Sequence, residues 1–193
     1  MGRYTDRERN QMISMCQSLG KDTSFDMTSD CTPLYNCIGF AMGMSDVCVA
    51  LGNPAGIAWS WWPPTAHFDM NPNSLVEAFE YFGFSACNDG SIEADYDKVA
   101  LYSKNGEWTH AAIVETENLY HSKMGIWWDI VHRSGDLFHN EAYGDIFTFV
   151  KRHKSDRHLT IDKKPKTGTM RALGHVYAVM QHEGKQYGYV RIM

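Results

Sequence analysis

Two stretches of this 193-residue sequence hold side chains able to perform acyl transfer. In Tyr35-Asn36-Cys37-Ile38-Gly39-Phe40-Ala41 a cysteine stands where a polar loop gives way to an apolar run. Ile38, Phe40 and Ala41 predict a short helix from about Cys37 to Met44. A cysteine in the first turn of a helix meets free N–H groups and the positive end of the helix dipole, which lowers a thiol pKa. The same N–H groups can hold an oxyanion. Gly39 lets such a helix lie close to whatever packs on it. In Trp108-Thr109-His110-Ala111-Ala112-Ile113-Val114 a histidine sits in an apolar run that reads as a strand. An imidazole facing Cys37 would take its proton and later return it to the leaving group. Cys37 is therefore the candidate nucleophile and His110 the candidate base, with Cys31, in the loop before Pro33, as a lesser rival for the first role.

The next strand, Leu119-Tyr120-His121-Ser122-Lys123, offers a group to orient that base. Strand alternation lets only one of His121 and Ser122 point at His110. His121 is taken as the third catalytic residue, with Ser122 and Asp129 as the other candidates for the orienting role. Tyr35, Asn36, Trp61, Trp62, Trp108 and Lys123 are the candidate binding residues. Lys123 could hold a substrate carboxylate, or stand in a plain turn. Of Trp59, Trp61 and Trp62, two read as core and the third as a wall of a substrate groove. Asp129 and His132, three apart, read as a hydrogen-bonded brace beneath the site, since no third ligand accompanies them to make a metal pair. His67, His139, His153 and His158 read as surface residues. No cofactor and no metal is expected.

Helices come first in the elements that must position these groups. Met12, Ile13, Met15 and Leu19 predict a helix over residues 4–19 that stops at Gly20. Ser74-Leu75-Val76-Glu77 reads as a capping box for a second long helix, ended by Gly83. After Gly90 the pattern turns to strands: Lys98–Tyr102, Trp108–Thr116, Leu119–Ser122 across a tight turn at Glu117-Asn118, and Gly144–Val150. Residues 151–172, basic and holding Pro and Gly, read as a solvated linker. A hairpin around Glu183-Gly184 follows, from His175–Gln181 to Gln186–Ile192. Helices followed by an antiparallel sheet make the class α+β. The organisation read from this is a helix and loop over 1–30, a catalytic domain over 31–152, and a basic linker with a C-terminal hairpin over 153–193 that belongs to the same domain.

Composition limits the function classes. A formal net charge of −5 argues against nucleic acid as a partner. No apolar run is long enough to span a bilayer, and the charged start carries no signal-peptide pattern, so the expected address is cytoplasmic. A phage-encoded protein or a delivered effector would look the same. The five cysteines, Cys16, Cys31, Cys37, Cys48 and Cys87, are odd in number and irregular in spacing, which fits reduced thiols better than a disulfide framework.

The motifs carry a resemblance. Asn36-Cys37-Ile38-Gly39-Phe40 resembles the Asp-Cys-Ser-Gly-Phe helix start of NlpC/P60 cysteine peptidases, with Asn and Ile standing where they have Asp and Ser. His110-Ala111-Ala112-Ile113-Val114 is similar to their His-x-Gly-Ile-Tyr strand, and Leu119-Tyr120-His121 to the strand that carries their third residue. That likeness implies a papain-like fold, N-terminal helices packed on an antiparallel sheet, and cleavage of an amide bond in a peptide or similar substrate through a thioester. Residues 35–152 also resemble an uncharacterised bacterial domain family through His110-Ala111-Ala112, Ser122-Lys123-Met124-Gly125, Asp129-Ile130-Val131-His132 and Tyr143-Gly144. The function expected is a cysteine peptidase, amidase or deamidase. The alternative is a non-catalytic papain-like binding or antagonist protein of a mobile element.

Overall fold

The computed structural model describes residues 4–51, 60–133, 143–172, 175–182 and 185–191. Trp59 and His139 lie outside the described residues. The architecture is α+β. Helix α1 (Asp6–Met15) begins at Thr5, whose hydroxyl accepts from Glu8 N while the Glu8 carboxylate accepts from Thr5 N. A 3-10 turn over Gln17–Lys21 carries the chain to the short strand β1 (Asp26–Met27). Helix α2 (Cys37–Ala41) and helix α3 (Pro72–Glu80) follow. Then come β2 (Ser85–Cys87), β3 (Tyr96–Lys104), β4 (Glu107–Thr116), β5 (Leu119–Lys123), β6 (Asp129–Arg133) and β7 (Asp145–His153). The seven strands form one antiparallel sheet in the order β1-β6-β5-β4-β3-β7-β2.

Successive residues of a strand leave on opposite faces, and the core divides accordingly. On one face α2 and α3 bury Ile38, Ala41, Leu75 and Phe79 against Val99, Leu101, Ala111 and Val150. On the other, Met12, Leu19 and Phe25 pack on Ala100, Tyr102, Ala112, Val114 and Ile130. Among the described residues no helix is long and apolar enough to cross a membrane.

Several local expectations change. α3 starts at Pro72 with Asn71 as its cap, because proline at the first helical position fixes the entry two residues before Ser74. Glu77 therefore closes no capping box; its carboxylate instead accepts from the backbone N–H of exposed His67 at 2.8 Å and contacts the ring Nδ1 at 2.7 Å. Residues 151–172 are not a linker. β7 runs on to His153, a 3-10 turn spans Lys154–Arg157, and α4 (His158–Lys163) leads into β8 (Lys166–Ala172). The basic charges that suggested solvation are held by carboxylates: Lys151 by Glu93, Arg157 by Asp97, Lys164 by Asp46. β8, β9 (His175–His182) and β10 (Lys185–Arg191) form a separate three-stranded antiparallel sheet, which contains the expected hairpin.

Gly39 fills the role expected of it. A Cβ built there would lie 2.2 Å from the Val47 carbonyl oxygen, so only glycine lets α2 approach the backbone of that segment. Gly39→Ala is expected to destabilise the fold by about 1–3 kcal/mol, the usual cost of overpacking a closed contact. A lowered urea midpoint at unchanged slope is the measurement; an unchanged midpoint would show that the segment yields freely.

Candidate active site

Asn36 anchors the start of α2. Its side-chain oxygen accepts from Gly39 N and from Val49 N, both at 3.0 Å, and its amide donates to the Val49 carbonyl at 2.8 Å. One side chain thus caps the helix and fastens it to the adjoining segment, a positioning task that aspartate could meet only in part because it has no N–H to give. Cys37 follows, 7% exposed. The N–H groups of Ala111, Ile38 and Cys37 itself point at its sulfur, and each favours the thiolate. Burial outweighs them and pushes the thiol up to about 11. The expected lowering of this thiol is thus reversed. α2 has five residues, too few for a strong dipole, and the desolvation of a sulfur inside the core is the larger effect.

His110 is fully buried on β4. Burial first, and then the neighbouring His132, hold its pKa down at about 3, so the ring is neutral near neutrality. Its Nε2 lies 3.1 Å from Ser122 Oγ. That hydroxyl also lies 2.9 Å from His132 Nε2. Tyr143 stacks on the His110 ring with centroids 4.1 Å apart, and Tyr102 meets it edge-on at 5.4 Å.

The structure sets Cys37 beside the backbone of Ala111, the residue after His110. His110 and Ala111 leave β4 on opposite faces, so the imidazole lies across the strand from the body of α2. The β4–β5 register runs only as far as Ala112↔Ser122, and the Ala111 N–H that points at the sulfur lies beyond that last pair. Among the described residues no hydrogen bond joins Cys37 to His110; Tyr143 stacks on the ring, and its own pKa is raised by burial and then by the nearby Cys37.

Of the two candidates on β5, Ser122 makes the contact with His110. His121 points to the α2 face, where its ring meets Phe40 at 4.8 Å, its Nε2 lies 2.8 Å from Thr28 Oγ1 and its Nδ1 lies 3.5 Å from Glu115. It is not placed to orient His110, because the register pairs it with Ile113 and puts Ser122 opposite Ala112. Asp129 also serves elsewhere: it accepts from Tyr35 OH at 2.7 Å and lies 3.5 Å from Lys123 Nζ. Residues three apart on a strand leave on opposite faces, so Asp129 and His132 form two braces instead of one. Lys123 is fully buried, its Nζ over the Tyr35 ring at 4.7 Å and donating to the Trp127 carbonyl. A cation so enclosed is structural in this state and does not offer itself to a substrate carboxylate. Trp61 is core; Trp62 stacks on Trp108 at 5.4 Å. Trp61 and Trp62 also line a cavity of about 430 Å³ with Pro63, Pro64 and Phe68. His132 as the partner of Ser122, and Tyr143 as the lid on His110, were not singled out by the sequence; the ten-residue spacing from Ser122 to His132 becomes informative only once β5 and β6 are known to be paired.

The neutral state of His110 predicts an acid response. In the unfolded chain the ring titrates near its ordinary 6.5 and in the folded protein near 3, so between these values the unfolded state binds more protons. Its contribution to stability is therefore fully present above about pH 6.5 and is lost as pH falls toward about 3. In His110→Gln the fall in melting temperature over that window is expected to be smaller than in wild type; parallel curves would contradict the neutral assignment.

A family model described as a domain of unknown function, DUF7689, matches residues 26–151, and the chain belongs to that family. Comparison with curated proteins and with solved structures found no match.

Proposed function

With the chain a member of a family whose description names no activity, we propose that it is a cysteine hydrolase of papain-like architecture that cleaves an amide bond, with Cys37 as nucleophile, His110 as base and Ser122 as the group that orients it. The observation that carries this reading is one buried chain of polar contacts, His132–Ser122–His110, ending on the residue next to Ala111, whose amide faces the Cys37 sulfur. With Nε2 engaged by Ser122, Nδ1 of His110 is the nitrogen that takes the thiol proton. The sulfur attacks the carbonyl, the N–H groups around it receive the oxyanion, and the imidazolium protonates the leaving amine. Water then releases the acyl group. Both partners rest uncharged, so the mechanism is general-base activation of a thiol and not a standing thiolate–imidazolium pair.

The test uses p-nitrophenyl acetate as a generic acyl donor. A burst of nitrophenolate with one acetyl group on Cys37, found by peptide mapping, is the expected result. Acetylation confined to Cys31 and surface lysines, with no dependence on His110, would overturn the proposal. A second reading, a binding protein that keeps the shape of a hydrolase, draws on the closure of the site: a sulfur 7% exposed and a base fully buried. It predicts no acetylation of Cys37 in a fully folded protein.

A further inference from the structure

We propose that His132 is a positioning residue for the base: by accepting the Ser122 hydroxyl proton it fixes His110 in the tautomer that can take a proton from Cys37. The inference rests on the reading of His110 as base. Its starting point is the placement of Ser122 Oγ between two imidazole nitrogens, 3.1 Å from His110 Nε2 and 2.9 Å from His132 Nε2, with all three side chains fully buried. A hydroxyl has one proton to give and two lone pairs. Between two imidazoles it forms a directed chain. If Ser122 donates to His132, its lone pair faces His110 and accepts the Nε2–H; the His110 proton is then on Nε2, and Nδ1 carries a lone pair. If the chain runs the other way, Ser122 donates to His110 Nε2, the ring proton moves to Nδ1, and the base cannot accept from the thiol.

For the first arrangement His132 must present an unprotonated Nε2. The surroundings hold that ring in place: β6 pairs with β5 through Tyr120↔His132, and the Tyr120 ring lies parallel to it at 5.8 Å. All three groups are fully buried, so bulk solvent does not compete for these hydrogen bonds. A serine alone in this position would orient the base poorly, because its proton could point either way. A serine backed by an acceptor gives a defined tautomer, the task for which hydrolases of this chemistry use a carboxylate or amide.

The experiment is a 15N–1H correlation spectrum of the full chain labelled at histidine, with Cys37 alkylation by iodoacetamide measured in parallel. Wild type is expected to show His110 protonated at Nε2 and His132 at Nδ1. In His132→Phe, which keeps the stack on Tyr120, His110 is expected to shift toward the Nδ1–H form and Cys37 alkylation to slow at least about tenfold. His132→Gln, whose amide oxygen can accept from Ser122, is expected to restore both. Wild-type His110 protonated at Nδ1, or an unchanged His110 tautomer in a folded His132→Phe, would overturn the proposal. If His132→Phe does not fold, the wild-type spectrum alone decides. A tautomer that shifts while alkylation stays constant would support the positioning role of His132 and refute Cys37 and His110 as a catalytic pair, so the two failures are told apart.

Discussion

Cys37→Ser is expected to lower amide or ester turnover by about ten-thousand-fold or more, the scale seen when a nucleophile that acts as one unit with its base is removed. The exchange keeps the size of the side chain nearly constant, and the N–H groups that face the sulfur can face a hydroxyl as well. The melting temperature should therefore move by only a few degrees, and an acid-quenched reaction should show no acyl group at position 37. Cys37→Ala is a poorer test, because a side chain this buried contributes packing as well as chemistry. Retained turnover in Cys37→Ser, with acylation at Cys31, would transfer the role to the exposed cysteine of the preceding loop.

The second large effect is on stability. Lys123→Met is expected to cost about 3–5 kcal/mol, because it leaves the Asp129 carboxylate buried without its cation. Burial pulls the Lys123 pKa down and outweighs the opposing pull of Asp129. Adding Asp129→Asn to Lys123→Met should recover a large part of the loss, since the amide can still accept from Tyr35 OH and no bare charge remains. Denaturant unfolding of the two single variants and the double variant measures the coupling. Additive losses would show that Lys123 and Asp129 act separately.

The sequence was most legible where local pattern decides structure. Apolar runs marked β3, β4, β5 and β7 and the hairpin in the tail to within a few residues, because a half-buried strand must carry such a run. The cysteine at the start of α2 was visible because a polar loop gives way there to an apolar run; Asn36, read as a binding residue, is instead the cap of that helix. What failed was what depends on partners distant in sequence. The basic run after β7 looked solvated because Glu93, Asp97 and Asp46, which hold its charges, lie far back in the chain. The choice of His121 over Ser122 failed because register, not residue type, selects the side chain that reaches His110. His132 was seen only as a brace with Asp129; its pairing with Ser122 needed the β5–β6 ladder. The direction of the Cys37 shift was misjudged because a helix-start argument counts the dipole, which the sequence displays, and omits burial, which it does not.

The central claim is that His110 acts as the base for Cys37, and the rate of Cys37 alkylation by iodoacetamide near neutral pH, followed residue by residue in wild type and His110→Gln, tests it most directly. A thiol with a pKa near 11 carries little thiolate at that pH, so base assistance should govern the rate. The account predicts that wild-type Cys37 reacts about a hundred-fold faster than Cys37 in His110→Gln, the lower range of general-base effects, while exposed Cys31 reacts equally in both. Equal rates at Cys37 in the two folded proteins would contradict it.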